Sequence, residues 1–199
     1  MRPPRRREFL LALGSTAAAL SGCVSTPFPG SGGDADVTLY VGAYHWGFVL
    51  LDESGTERER VTLDPDTSIK LVAFNTSAED ALDTLPSAIS EAIPDHEALE
   101  ERNEERIPPP SSGDLHDVLE EANARYPNHS LAVMPSGRNH MGGGMGGMML
   151  RPIPLPADAT SPTTAGLSAS QRGNYTLSCL TDCGYGHPYM ELEGALVVR

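Results

Sequence analysis

Basic side chains are scarce in this sequence. Its 199 residues include 14 Lys and Arg against 27 Asp and Glu, which gives a formal net charge of −13, and Lys70 is the only lysine. An acidic surface repels phosphate backbones and anionic lipid headgroups, and no local basic cluster offsets it, so nucleic acid is excluded as a partner. Abundant carboxylates with almost no lysine are typical of extreme halophiles, so we expect a haloarchaeal source.

Long hydrophobic runs are also missing. The apolar stretch at residues 9–20 is shorter than the roughly 18 residues that a transmembrane helix needs. It overlaps the twin-arginine export pattern RREFL at 6–10 and runs into the lipobox-like LSGC at 20–23. We therefore predict a twin-arginine lipoprotein signal peptide over 1–22, lipid attachment at Cys23, and a lipid-anchored location on the extracytoplasmic face of the cell membrane. A plain signal peptide with an incidental cysteine is the alternative.

Cysteine is the third scarce residue, with three in the chain. If a lipid takes Cys23, Cys179 and Cys183 remain as a pair. Because disulfides form and persist outside the cytosol, these two are expected to be disulfide-linked unless something else holds them.

What the sequence does contain is a series of short β-rich segments with turn signals between them. One strand is predicted over 37–51, VTLYVGAYHWGFVLL, and others over 60–63, 68–74, 128–135, 174–178 and 190–198. Residues 76–128 instead show helical periodicity and many carboxylates, with possible N-caps at Ser77 and Asp114. The predicted fold class is all-β, a sandwich or small barrel with a helical acidic insertion, after a flexible tether over 23–36.

A dense group of soft donors lies near the C-terminus, in the stretch SCLTDCGYGHPYM at 178–190. It reduces to Cys179-x3-Cys183-x3-His187-x2-Met190. Two thiols, an imidazole and a thioether indicate copper ahead of zinc, calcium or magnesium. A mononuclear blue copper site uses a single cysteine, so the extra thiol points to a second metal ion. A small disulfide loop with incidental His and Met is the alternative interpretation.

These residues resemble the CuA domain of cytochrome c oxidase subunit II, which is also found in nitrous-oxide reductase. Cys179, Cys183, Gly184, His187 and Met190 fit that family's loop. The stretch HSLAVMP at 129–135 is similar to the family's segment that supplies a second histidine, and AYHWGF at 43–48 is similar to its aromatic first strand. The resemblance implies a cupredoxin-like Greek-key β-sandwich over 37–199.

The resemblance also implies roles for individual residues. Cys179 and Cys183 would bridge two copper ions, His129 and His187 would each bind one, and Met190 and the backbone carbonyl of Thr181 would be weak ligands. Bridging thiolates spread one unpaired electron over both ions, so bond lengths change little on electron transfer. Trp46 would be the residue through which electrons enter.

The function implied by the resemblance is electron transfer through a dinuclear CuA centre in a respiratory chain. The donor would be a soluble cytochrome c or blue copper protein, and the acceptor a terminal oxidase or reductase on the same membrane. Such a protein would catalyse nothing alone, although it could be a subunit of an oxidase-like complex. The alternative is a copper-binding assembly factor or metallochaperone that delivers copper to a terminal oxidase.

Other potential donors are less specific. A Gly/Met-rich loop over 137–150 offers a possible secondary copper site, and a plain surface loop is the alternative; its donors are His140, Met141, Met145, Met148 and Met149. His96 and His116, within the insertion, are interpreted as surface residues because neither has a second donor at metal-binding spacing. His45 is interpreted as a surface or structural residue, with tuning of an electron-entry patch around Trp46 as the alternative.

Overall fold

The computed structural model describes residues 35–137 and 149–199. Within these ranges the chain forms nine strands: β1 (Val37–Tyr44), β2 (Gly47–Asp52), β3 (Val61–Leu63), β4 (Ser68–Asn75), β5 (His129–Pro135), β6 (Leu150–Leu155), β7 (Thr163–Ser168), β8 (Gly173–Ser178) and β9 (Glu191–Val198). They assemble into two sheets, with the strand orders β2-β1-β4-β7 and β3-β9-β8-β5-β6. The expected fold class, an all-β cupredoxin-like sandwich, is confirmed by this arrangement.

Both sheets are mixed. β1 runs parallel to β4, and β3 runs parallel to β9, whereas the other neighbouring strands are antiparallel. Parallel neighbours require a connection that crosses between sheet edges, so these two pairs tie distant parts of the chain together. In the second sheet, β5 lies between β6 and β8 and is antiparallel to both, which places His129 beside the end of β8.

The prediction of a single strand over 37–51 is wrong. The segment folds back at His45 and Trp46 into a hairpin, with Tyr44 paired to Gly47 and Ala43 to Phe48. The turn has no Asn-Gly or Gly-Gly pair, which is the usual sequence signal of a two-residue hairpin turn. Its two central residues are held by contacts with distant parts of the chain. The reversal also moves Trp46 and Phe48 onto the inner face of the sandwich, where they join the main hydrophobic cluster.

The main core lies between the two sheets and is built from alternate strand residues, among them Leu39, Val41, Leu131, Val133 and Leu177. A second apolar cluster covers the outer face of the first sheet. It joins Val49, Leu51, Val72 and Phe74 of that sheet to side chains of the helical insertion, including Leu85, Ile89 and Leu99. The first sheet is therefore buried on both faces, which explains the apolar character of both faces of β2 and β4.

The insertion contains the four α-helices of the described residues: α1 (Glu79–Leu82), α2 (Ser87–Ser90), α3 (His96–Arg106) and α4 (Leu115–Arg125). Asp95 and Asp114 cap α3 and α4 by accepting bonds from the Ala98 and Asp117 N–H groups, each at 2.9 Å. The predicted Asp114 cap is confirmed. The predicted Ser77 cap is wrong, because α1 follows Ala78 without a side-chain cap and the Ser77 N–H donates to Asn75 instead.

Two strands, β6 and β7, were not predicted. β6 contains Pro152 and Pro154, which cannot donate to a ladder, and the sheet accommodates them because β6 is its edge strand. Across the described ranges, none of the helices has the length and apolar character needed to cross a bilayer.

Leu71→Ala tests the main core, because Leu71 is fully buried between the sheets. Removing a buried leucine leaves a cavity and should lower the free energy of unfolding by about 2–5 kcal/mol. Chemical denaturation measures the change. Leu180→Ala is the control, since Leu180 is 43% exposed and should change the free energy by less than about 0.5 kcal/mol. Equal losses in the two variants would contradict the assignment of the core.

Candidate metal centre

The soft donors lie on the loop that connects β8 to β9. The loop is closed at its base by the Cys179 N–H, which donates to the Met190 carbonyl at 3.1 Å. Its second half winds into a short 3-10 helix, His187–Tyr189, in which the His187 N–H donates to the Gly184 carbonyl. Gly184 has a φ of +93°, a left-handed conformation that favours glycine. These contacts fold the loop back on itself, so that donor side chains from different parts of the loop lie close together.

Strand β5 brings the upstream histidine to the same point. His129 is its first residue, and the next residue, Ser130, contacts the loop through both its backbone N–H and its hydroxyl. The Ser130 N–H lies 3.4 Å from Cys179 Sγ, and the Ser130 hydroxyl accepts from the Leu180 N–H at 2.9 Å. As a result, one donor atom each of His129, Cys179 and Cys183 lies within 4.8 Å of the other two, and all three residues are buried.

The remaining predicted ligands surround this group. Cys183 Sγ lies 3.4 Å from His187 Nδ1 and 3.5 Å from Met190 Sδ, while Cys179 Sγ lies 3.3 Å from the Thr181 carbonyl oxygen. All six residues proposed from the sequence are therefore gathered in one place. Met190 is buried, whereas His187 is only partly buried, so the imidazole of His187 is the donor nearest to solvent among the side chains of the group.

The thiols of Cys179 and Cys183 have different pKa values. A hydrogen bond from the Cys183 thiol lowers the pKa of Cys179 to about 3, and the Ser130 N–H adds to that effect. The pKa of Cys183 is raised, because this thiol is the donor to Cys179 and is itself buried. The pair therefore holds one thiolate at neutral pH. A thiolate is the form of cysteine that binds metals.

Two features of this pocket lack a partner in the protein alone. Both ring nitrogens of His129 are buried without a hydrogen bond, although leaving a buried polar atom unpaired costs about 1–3 kcal/mol. Cys179 and Cys183 are both free of a disulfide bond, in contrast to the pairing expected in an oxidising compartment. An imidazole with no partner beside two free buried sulfurs is the chemistry of a site for a soft or borderline metal ion, and copper fits this donor set.

Trp46 lies under the loop and is fully buried. Its indole N–H donates to the Cys183 carbonyl at 2.7 Å, and its ring meets the edge of the Tyr185 ring at a centroid distance of 6.2 Å. A Cβ atom on Gly186 would lie 2.0 Å from the Trp46 ring, so the loop approaches the indole as closely as glycine allows. Trp46 therefore offers no surface to a partner. Among the described residues, the exposed large apolar side chains are Leu180, Tyr185 and Tyr189, and all three lie on this loop.

Sequence reasoning missed the position of His45. The residue is buried, with its ring centroid 4.4 Å from that of His129 and its Nε2 unpartnered. Burial lowers the pKa of His45 to about 3, so the ring is neutral at physiological pH. The only sequence signal for this position of His45 beside His129 is that His45 directly precedes Trp46.

Most of the other predicted donors lie outside the described residues. These are Cys23, His140, Met141, Met145 and Met148. Met149 is described, and its partly buried side chain packs against the main hydrophobic core.

No protein-family model and no curated protein sequence matches this chain. The fold is similar to the periplasmic domain of subunit II of cytochrome oxidase from Bradyrhizobium japonicum, with a TM-score of 0.41 and 10% identity over 84% of this chain and 86% of that one. It is also similar to a chain of a heme-copper terminal oxidase dimer, with a TM-score of 0.38 and 11% identity over 81% of this chain and 63% of that one. At such identities the similarity concerns the fold alone, and the chemistry of the site depends on the side chains described above.

Gly186→Ala tests the close packing of the loop on Trp46. The added Cβ would overlap a fully buried ring, so the free energy of unfolding should fall by about 1–3 kcal/mol. Chemical denaturation measures it, and Gly166→Ala is the control because no atom lies within 4 Å of a Cβ at that position. If Gly186→Ala proved as stable as Gly166→Ala, the described packing would be incorrect.

Proposed function

We propose that this protein is a copper protein that transfers electrons at the extracytoplasmic face of a membrane through a dinuclear CuA centre. The observation that carries the proposal is the unpartnered His129 imidazole beside two free buried sulfurs. A donor set that is costly to bury alone becomes favourable when a metal ion satisfies it. The proposed ligands are His129, Cys179, the Thr181 carbonyl, Cys183, His187 and Met190.

When bound, a pair of copper ions would supply a one-electron carrier, and Cys179 and Cys183 would hold the pair. The protein contributes a fixed and largely buried setting for it. Cys183 and Met190 are fully buried, and the loop is held at its base by a backbone bond and beneath by Trp46. Because these contacts hold the ligands in place, the ligands should move little between oxidation states, and the reorganisation energy of electron transfer would be small.

The route for electrons is proposed to begin at Tyr185 rather than at Trp46 itself. Tyr185 is 43% exposed, whereas Trp46 has no exposed surface. The two rings are in edge contact, and the indole N–H continues the path to the backbone carbonyl of Cys183. The apolar surface of Leu180, Tyr185 and Tyr189 would then receive a soluble donor, such as a cytochrome c or blue copper protein, and a terminal oxidase or reductase would be the acceptor.

Burial favours electron transfer over copper delivery. A metallochaperone has to pass its ion to a partner, so its ligands need access to that partner. Here His129, Cys183 and Met190 are each at most 2% exposed.

The lipid anchor at Cys23 is proposed from the sequence pattern alone.

Cys179→Ser tests the proposed ligands. The wild-type protein should bind two copper ions per chain, and this variant should lose the dinuclear centre because one bridging sulfur is gone. Copper is measured by atomic absorption after dialysis of the copper-loaded protein. Cys23→Ser is the matched control: it removes a thiol outside the site and should retain the full copper content while losing membrane attachment. A Cys179→Ser protein with unchanged copper content would refute the assignment.

Tyr185→Leu tests the electron route. Loss of the aromatic contact should lower the second-order rate of reduction by a soluble cytochrome c by about tenfold, as expected for a central interface residue. Stopped-flow absorbance of the copper-loaded protein measures the rate. Tyr189→Leu, which changes a similarly exposed ring on the same loop, should have a smaller effect. Equal effects at the two positions would contradict a route through Tyr185 and Trp46.

A further inference from the structure

The buried side-chain nitrogen and oxygen atoms that lack a hydrogen-bond partner are concentrated at one place. Among the described residues there are four such atoms, and three are ring nitrogens: Nδ1 and Nε2 of His129 and Nε2 of His45. The centroids of these two rings are 4.4 Å apart, with an angle of 62° between the ring planes. Each unpaired buried polar atom destabilises the fold, so three of them in neighbouring rings require an explanation.

A metal ion accounts for only one of the three nitrogens. An imidazole binds a metal through one ring nitrogen, and in a neutral ring the other nitrogen then carries a hydrogen. In metal sites this N–H almost always donates to a carboxylate, a carbonyl or water, which fixes the orientation of the ring. Neither nitrogen of His129 has such a partner among the described residues. Whichever of them binds the metal, the other needs an acceptor.

His45 has the properties of that acceptor. Burial lowers its pKa to about 3, so the ring is neutral and has one bare nitrogen. The backbone carbonyls of Cys183 and Tyr126 act against this shift, because they interact favourably with a hydrogen on the ring. With that hydrogen on Nδ1, Nε2 is an acceptor in the ring next to His129. The rings already touch, so rotation about the soft outer torsion of a histidine, without movement of the backbone, aligns the two nitrogens.

The backbone at His45 is fixed by the helical insertion. Asn103 of α3, which is 1% exposed, accepts from the Trp46 N–H at 3.2 Å and donates to the His45 carbonyl. Bonds on both sides of the His45–Trp46 peptide limit where the imidazole can lie. The contact between His45 and His129 is therefore set by the fold, and it does not depend on a mobile side chain finding its partner.

Neither water nor packing explains the pair of rings as well. A cavity of about 40 Å³ borders His45, and a water molecule fits this volume. Such a water would pair with His45 alone, because His129 does not line the cavity, and the N–H of His129 would stay unpaired. Packing alone would be served better by an apolar side chain, which buries no unpaired nitrogen. A bond between the two rings satisfies both of them.

We propose that His45 is a positioning residue of the metal centre, whose Nε2 accepts a hydrogen bond from the ring nitrogen of His129 that does not bind metal. This bond fixes the orientation of the His129 ring and makes its other nitrogen a stronger ligand. The inference rests on the metal centre proposed above, but not on the number of ions that the centre holds.

Copper affinity of the full chain, measured by competition with a chelator, tests this role. His45→Leu removes the acceptor and should weaken copper binding about 10–100-fold, the usual effect of losing a partner of a ligand histidine. His45→Gln should bind nearly as tightly as wild type, because its amide oxygen accepts the same bond. His116→Leu is the control, since it removes an exposed imidazole on α4 and should leave the affinity unchanged.

A second pair of readouts separates positioning from packing. In the metal-free chain, His45→Leu should not lower the thermal unfolding midpoint, because it removes an unpaired buried nitrogen. In the copper(I)-loaded chain, proton nuclear magnetic resonance should show a hydrogen-bonded ring N–H of His129 in wild type and His45→Gln, and this signal should be lost in His45→Leu.

Two results would overturn the proposal. One is a lower metal-free midpoint in His45→Leu with unchanged copper affinity, which would show that His45 only packs. The other is an equal loss of affinity in His45→Gln and His45→Leu. If wild type itself bound no copper, the function proposed above would fail as well. Tight binding by wild type and equally tight binding by His45→Leu would refute the role of His45 alone.

Discussion

The pairing of β5 with β8 is the contact on which the proposed metal centre depends. It aligns Ala132 with Ser178, and just beyond that pair the Ser130 hydroxyl accepts from the Leu180 N–H while the Ser130 N–H approaches Cys179 Sγ. These short contacts join residues about fifty positions apart in the sequence. They fix His129 beside the sulfurs before any metal is present, and a site organised in advance loses less entropy on binding.

A chain of contacts connects the helical insertion to the same site. Asn103 of α3 accepts from the Trp46 N–H and donates to the His45 carbonyl, and Arg106 donates to the Trp46 carbonyl. The insertion therefore holds the hairpin between β1 and β2, and Trp46 of that hairpin holds the loop through the Cys183 carbonyl. The Tyr185 hydroxyl also donates to the Pro108 carbonyl, between α3 and α4. The acidic insertion thus supports the centre as well as covering the sheet.

The sequence predicted much of this because local patterns carry the information. Period-two segments gave most of the strands, Asp114 marked the start of α4, and the spacing of Cys179, Cys183, His187 and Met190 gave the loop. The rest arises from contacts between distant residues. The hairpin at His45 and Trp46 has no turn signal, β6 tolerates its prolines only because it is an edge strand, and the burial of Trp46 requires Gly186 above it.

Electron paramagnetic resonance of the copper-loaded wild-type protein tests the central claim most directly. If two sulfurs bridge a pair of ions held by His129 and His187, the single unpaired electron should couple equally to two copper nuclei. Coupling to one copper nucleus only would contradict the account, because it would show a mononuclear site in which Cys179 and Cys183 do not act as bridges.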